Sequence, residues 1–217
     1  AFEQFRLPFL LRKHCVDLVH SLGYVGPIMS PCPAVVTIHD TNYIDLAEAM
    51  PAIRRIPLRM ISTAAAKRAS SVITVSMFSR QRIIKLLGLP QNRIIVIHEA
   101  PQLGIVEKRN ALDWQNIQHR YNIVPPYVVA FGGGAIHKNI PRLLQAFAQI
   151  AGKIDHQLVL VGHLPPDYSV NAANRIPGLQ SRVITTGYVP SDYVGQLLSH
   201  ADLFVMPTLY EGFGLPV

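Results

Sequence analysis

The chain is poor in charge. Asp, Glu, Lys and Arg make up 15% of its 217 residues, against a usual ~25%. Hydrophobic residues reach 49%, so a disordered chain, a coiled coil and a collagen-like fibre are excluded. Long apolar runs are also lacking. The longest, such as Tyr127 to Phe131, fall far short of the ~18–20 residues that span a bilayer as a helix. No basic start leads into an apolar stretch and a small-residue cleavage site, so no secretory signal is read. Cysteine is scarce. Cys15 and Cys32 match no metal spacing and cannot form a disulfide framework. A reduced, cytoplasmic chain with free, buried thiols is expected. At roughly 150 residues per domain, the length suits one large domain or two small ones. The chain opens on Ala1 rather than Met and stops at Val217, just after a glycine-rich run. A fragment is expected.

What charge there is lies unevenly. The net charge is +7, and residues 1–100 carry 12 basic against 6 acidic residues. The excess is densest at Arg54, Arg55, Arg59, Lys67 and Arg68, and again at Arg80, Arg82 and Lys85. Nucleic acid, an anionic membrane surface and acidic substrates are the partner classes such a bias suits. The nucleic-acid reading has no further support: there is no aromatic-interleaved basic strand, zinc spacing or recognition helix. Solvated helix faces and membrane-surface contact remain.

Strands and helices alternate along the chain. Short β-branched runs at 34–38, 71–75 and 94–97 read as buried strands. Apolar residues at Leu58, Ile61, Ala65 and Ala69 recur at helical spacing from Pro57 to Ser70. A second helix is expected from Ser79 to Leu87, with Ser76 or Ser79 as its N-cap and Gly88 at its stop. Residues 101–125 are more polar and hold a short helix, Ala111 to Tyr121, ended by Pro125-Pro126. The pattern then repeats, with strands at 127–131, 157–161, 183–186 and 203–206, and helices at 139–151 and 192–199. Continuous apolar strands alternating with helices imply parallel sheets covered on both faces. The expected fold is therefore α/β, with two doubly wound parallel-sheet domains at 1–108 and 109–217.

In such sheets, ligands bind beyond the carboxyl ends of the strands. Three strand ends carry unusual residues. The first is Phe131-Gly132-Gly133-Gly134-Ala-Ile-His137-Lys138-Asn139. Glycines uncover backbone N–H groups, the following helix points its positive end into the same space, and Lys138 adds a cation. Together these suit phosphate or diphosphate. A glycine run alone equally suits a tight turn without ligand. The second is Met206-Pro-Thr-Leu-Tyr-Glu211-Gly212-Phe213-Gly214-Leu-Pro216. A carboxylate beside an anion site makes sense where a ligand combines phosphate with polyol hydroxyls; otherwise this is a structural turn. The third is His39-Asp40, where a histidine can bond a substrate or simply hold structure. His98 and Glu99 end another strand and are second-rank candidates.

These residues resemble the group-one glycosyltransferases, the large retaining family of two-domain GT-B architecture. The matching stretches are Val36 to Asp40, Val72 to Ser79, Phe131 to Asn139, Thr186 to Pro190 and Ala201 to Pro216. The last is the most specific. The resemblance implies two Rossmann-like domains, both incomplete here, with the acceptor side first and the donor side second. It implies transfer of a sugar from a nucleotide-diphosphate sugar to a saccharide or lipid-linked acceptor hydroxyl, with retention at the anomeric carbon. His39 would face the donor sugar, and Lys138 with the N–H groups of Gly132 to Gly134 would hold the diphosphate. Glu211 would contact sugar hydroxyls beside the backbone of Gly212, Phe213 and Gly214. Tyr188 and Val189 would lie near the base.

No metal or other cofactor is expected, because donors and a lysine meet the leaving charge. The arginine common near the family's lysine is replaced by Gly132 or His137. The partner of Glu211 in the family's glutamate pair would fall beyond Val217, so the chain as given is expected to be inactive. Polysaccharide or glycoconjugate synthesis, at the cytoplasmic face of a membrane, is the expected setting. A non-catalytic nucleotide-sugar binder and a GT-B epimerase or phosphorylase are the alternatives.

Overall fold

The computed structural model describes residues 2–46, 50–100, 111–164, 179 and 181–215, the side chains of 111–113 excepted. The chain divides into two compact units. Residues up to Ala100 form the first together with Tyr210–Leu215, and the described residues from 111 to Leu209 form the second. The boundary expected between residues 108 and 109 lies outside the described residues. Tyr210–Leu215 was expected with the second half; by packing it joins the first, for reasons given below.

The first unit opens with a wide helical turn, Phe2–Arg6, running into α1 (Leu7–Lys13). Four parallel strands follow, β1 (Val19–Ser21), β2 (Ala34–Thr37), β3 (Ser71–Thr74) and β4 (Ile94–Val96), in the order β1-β2-β3-β4. Between them lie α2 (Asn42–Asp45), α3 (Ala52–Arg68) and α4 (Met77–Leu87). Strand β1 has no sequence signal: Val-His-Ser is short and of mixed polarity. Helix α3 begins five residues before the expected Pro57 and runs through it. Pro57 lies inside the helix, past its first turn, and removes one backbone N–H from the ladder without ending it.

Helix α4 is the clearest sequence-to-structure case. Ser76 Oγ accepts from Ser79 N at 3.0 Å, satisfying one of the first-turn donors. Gly88 closes the helix in the left-handed conformation at φ 66, which glycine adopts without a Cβ penalty.

Val36, Val72 and Ile94 stand side by side across three strands. They form one buried cluster with Ala66 and Ala69 around the end of α3 and Ile83 and Leu87 of α4. Each buried Val, Leu or Ile among them contributes ~1.5–3 kcal/mol by leaving water. Coverage on both faces was expected here. On the opposite face, however, Ile73 is half-buried and Ile95 exposed, because α3 and α4 both pack on the first. The cysteines also differ from expectation. Cys15 is exposed and Cys32 half-buried, since both sit on connections outside the core.

The second unit is covered on both faces. Its strands are β5 (Tyr127–Phe131), β6 (Gln157–Val161), β7 (Val183–Gly187) and β8 (Leu203–Phe204), parallel and ordered β7-β6-β5-β8. Its helices are α5 (Ala111–Tyr121), α6 (Ile140–Ile150) and α7 (Ser191–Ser199). Alternate residues of β5 and β6 point to opposite faces. Val128, Ala130, Leu158 and Leu160 pack with Leu143, Leu144 and Phe147 of α6. Tyr127, Val129, Val159 and Val161 pack with Ile117 of α5 and Leu197 of α7. That two-sided burial is why these strands read as unbroken apolar runs.

Candidate functional site

In the second unit the chain builds β5, β6 and β7 in one direction, then returns to lay β8 on the other side of β5. The strand order therefore reverses between β5 and β8, and open α/β sheets bind ligands beyond the carboxyl ends of the strands at such a switch point. The β5 loop is Gly132-Gly133-Gly134, followed by a 3-10 turn, Ile136–Lys138, and then by Asn139 and α6. Lys138 thus stands in the turn before the helix rather than on it. Asn139 is left-handed at φ 55, and among the described residues no side chain caps α6. The first N–H groups of the helix keep their partial positive charge toward the crevice.

Two bonds stitch this turn to the segment after β8. Asn139 Nδ2 donates to the Pro207 carbonyl at 2.9 Å, and Leu209 N donates to the His137 carbonyl at 2.8 Å. Both Lys138 and His137 are half-buried. The three glycines are not equivalent. Gly132 N donates to the Val161 carbonyl at 2.7 Å, so its N–H completes the sheet and is not offered to a ligand. A Cβ there would also meet Leu164 Cδ2 at 3.0 Å. Gly133 has ordinary room, its nearest neighbour being Lys138 Cγ at 3.7 Å.

Tyr188 and Val189 follow β7. The Tyr188 side chain is 73% exposed, whereas Val189 is buried in the core beside α5 and α7. The Val189 side chain is therefore not offered to a ligand.

The first unit gathers His39, Glu211, Gly212, Phe213 and Gly214. His39 and Asp40 leave β2, Ser76 leaves β3 and Glu99 follows β4. Across these strand ends lies the Tyr210–Leu215 segment. The Gly212 carbonyl accepts from Ser76 Oγ at 2.5 Å and Ser79 Oγ at 3.2 Å. Ser79 Oγ also donates to the His39 carbonyl at 2.9 Å. Tyr210 OH is 2.9 Å from Thr41 Oγ1, and its ring meets Phe78 edge-on at 5.4 Å. The glycine at 212 has a packing cause: a Cβ there would run into the His39 carbonyl oxygen and stand 3.0 Å from Asp40 Cβ. Glu211 and Gly214 are half-buried and Phe213 is 38% exposed.

His39 is engaged at both ring nitrogens. Nδ1 is 2.7 Å from Glu99 Oε1, and Nε2 is 3.1 Å from the Leu22 carbonyl. A carbonyl only accepts, so Nε2 carries the hydrogen of that bond. Sequence reasoning ranked Glu99 below His39 and did not pair them, because 60 residues separate them. The role of Ser76 and Ser79 in holding Gly212 was also missed; their only local signal was the helix N-cap. Among the described residues, no group of three or more His, Cys, Asp or Glu is placed to hold a metal ion.

Residues 1–100 match a family model described as Glycosyltransferase Family 4, and residues 125–217 one described as Glycosyl transferases group 1. The chain belongs to the group 1 glycosyltransferases. This glycosyltransferase chain is 29% identical over 188 residues to the O-antigen chain mannosyltransferase B of Escherichia coli, covering 85% of this chain and 49% of that protein. It spans about half the length of the curated relatives it matches. The sucrose-phosphate synthase of Thermosynechococcus elongatus shares its fold at TM-score 0.71 and 20% identity, over 97% of this chain and 55% of that one. HepE of Anabaena, solved in complex with UDP, does so at TM-score 0.68 and 19% identity, over 93% and 56%. The glycosyltransferase fold here is the GT-B one, with two Rossmann-like units of parallel sheet.

Proposed function

We propose that the complete protein transfers a sugar from a nucleotide-diphosphate donor to an acceptor hydroxyl, with retention at the anomeric carbon, in polysaccharide or glycoconjugate synthesis. The observation that carries this reading is the loop after β5 at the switch point, in which Gly133, Gly134 and Lys138 lead into the start of α6, where among the described residues no side chain caps the first turn. Family membership and the UDP bound by HepE support the donor class. The O-antigen chain mannosyltransferase relative supports a saccharide acceptor.

As the glycosidic bond stretches, negative charge grows on the leaving diphosphate. Lys138, the N–H groups of Gly133 and Gly134 and the α6 terminus stabilise it without having to reorganise. Gly132 shapes the turn, and His137 lies where a family arginine would add charge. No metal is needed for that step. The sugar becomes oxocarbenium-like, and Glu211 holds its hydroxyls beside the backbone of Gly212, Phe213 and Gly214. His39 contacts the donor sugar, for which Nε2 must exchange the Leu22 carbonyl for the substrate. Tyr188 and the Val189 backbone lie toward the base. A front-face route to retention requires no enzymic nucleophile, and none is named.

The test is calorimetric titration of the complete protein with UDP, GDP and ADP. The matching sugar nucleotides are then offered with saccharide and lipid-linked acceptors, and the product anomer is read by proton NMR. One diphosphate should bind and its sugar should be transferred with retained configuration. Binding of none of the three would remove the donor reading. An inverted product would remove retention.

A further inference from the structure

Helix α3 is amphipathic in an unusual sense. A surface helix normally buries its large apolar residues and shows water a polar face. Here the residues turned inward are small, namely Ser62, Ala65 and Ala66. Leu58 and Ile61 are half-buried, but three other large ones point out: Ile53 is 83% exposed, Ile56 55% and Met60 68%. At about 100° per residue, these three fall in a single stripe along the helix, opposite the buried face. Arg54 and Arg59, both exposed, stand on its two flanks. Lys67 and Arg68 are exposed at the end of the same face. No Asp or Glu occurs between Pro51 and Ser70, so nothing on the helix itself neutralises them.

An exposed apolar stripe costs solubility unless something covers it. Both the stripe and its flanks restrict what that is. A purely apolar partner would strand the arginines, and a purely acidic one would leave the isoleucines in water. A surface that is anionic outside and hydrocarbon just beneath meets both. The helix also has the form for lying flat on such a surface. It is 17 residues long, and among the described residues no helix is long and apolar enough to cross a membrane.

We propose that α3 seats the first unit on an anionic lipid surface, with Ile53, Ile56 and Met60 in the acyl boundary and Arg54 and Arg59 at the headgroups. This rests on the helix alone and holds whatever sugar the protein transfers. It also distinguishes insertion from simple charge attraction. Basic residues elsewhere, such as Lys85 on α4, are drawn to the same headgroups, but the exposed apolar residues of that helix, Met77 and Phe78, lie at its other end, and Phe78 packs on Tyr210.

The experiment is cosedimentation of the complete protein with phosphatidylcholine vesicles, with and without phosphatidylglycerol. Binding is expected to the anionic vesicles and to fall as salt rises. The double variant Ile53→Gln, Met60→Gln keeps every charge and should weaken binding about tenfold, because two side chains lose their burial. Arg54→Gln with Arg59→Gln should weaken it by a similar factor, while Lys85→Gln should leave it nearly unchanged. All these side chains are exposed, and circular dichroism checks that each variant folds. Equal binding to neutral vesicles would overturn the proposal. So would unaltered binding by the Ile53, Met60 variant, which would leave charge alone as the cause. Absence of vesicle binding, together with self-association that the same variant abolishes, would assign the stripe to a second copy of the chain instead.

Discussion

His39 Nδ1 lies 2.7 Å from Glu99 Oε1, which joins the carboxyl ends of β2 and β4 across the end of β3. With the Leu22 carbonyl on the other nitrogen, the ring is held from both sides and its orientation is fixed. Glu99 is on this geometry a positioning residue for His39.

In the complete protein, Glu99→Ala should lower turnover on the order of tenfold to a hundredfold, through misplacement of the ring. Glu99→Gln keeps a side-chain hydrogen-bond partner for Nδ1 and should recover much of that loss. Nitrogen NMR of the imidazole should show the change of partner in the Ala variant. Parent-level turnover in Glu99→Ala would remove the residue from this role.

Lys138→Ala in the complete protein should lower turnover by ~10²–10³, the usual cost of losing one group that stabilises developing charge. The fold should persist, because Lys138 lies in a half-buried turn and contributes to no core cluster. Turnover at saturating donor, with circular dichroism beside it, decides this. Undiminished turnover would separate Lys138 from the diphosphate.

Gly212→Ala should loosen the Tyr210–Leu215 segment. The new Cβ meets the His39 carbonyl oxygen, which is backbone and cannot swing aside. Overpacking of this kind costs ~1–3 kcal/mol. The segment can lift away from the sheet at that cost, so the effect is local. Hydrogen exchange at amides 210–215 should speed up, with little change in the urea midpoint of either unit. Unchanged exchange would mean that the bonds from Ser76 and Ser79 do not fix the carbonyl there.

Alkaline pH should destabilise both units. Burial raises the Tyr43 phenol above its ordinary 10.0, and Tyr43 OH pairs with Ser62 Oγ at 2.8 Å. Burial raises Tyr24 as well, with Asp40 adding to it, and it raises Tyr127 in the second unit, with Asp202 adding to it. The folded state thus keeps these protons after an unfolded chain begins to release them at about pH 10. Their contribution is complete below that pH and declines as pH rises further. Urea midpoints measured from pH 8 to 11 should fall above pH 10. The fall should be shallower in Tyr127→Phe, which also loses the bond to the Leu197 carbonyl at 2.6 Å.

Much of the second unit was legible in the sequence. Tyr127 to Phe131 and Gln157 to Val161 are buried on both faces, so burial wrote an unbroken apolar run. Helix α6 carries Leu143, Leu144 and Phe147 at helical spacing because one stripe meets the sheet. In the first unit, α4 was legible through its caps, Ser76 and Gly88. Strand β1 was not, because an edge strand of three residues, two half-buried and one exposed, leaves no pattern. The last strand was read through residue 206 but ends at Phe204; the apolar run continues past the ladder into the loop.

The sequence by itself determined the α/β class, the alternation of elements and the three strand ends with unusual residues. Each is written within a few consecutive positions, as periodicity, a cap or a glycine run. The tertiary structure alone decided what those residues do to one another. It paired His39 with Glu99, used Gly132 N to complete the sheet, and turned Ile53, Ile56 and Met60 outward. It also set Gly212 on the His39 carbonyl, 173 positions away along the chain. Side-chain direction, and contact between distant strand ends, follow from how helices and sheet pack, and no local stretch of sequence encodes that packing.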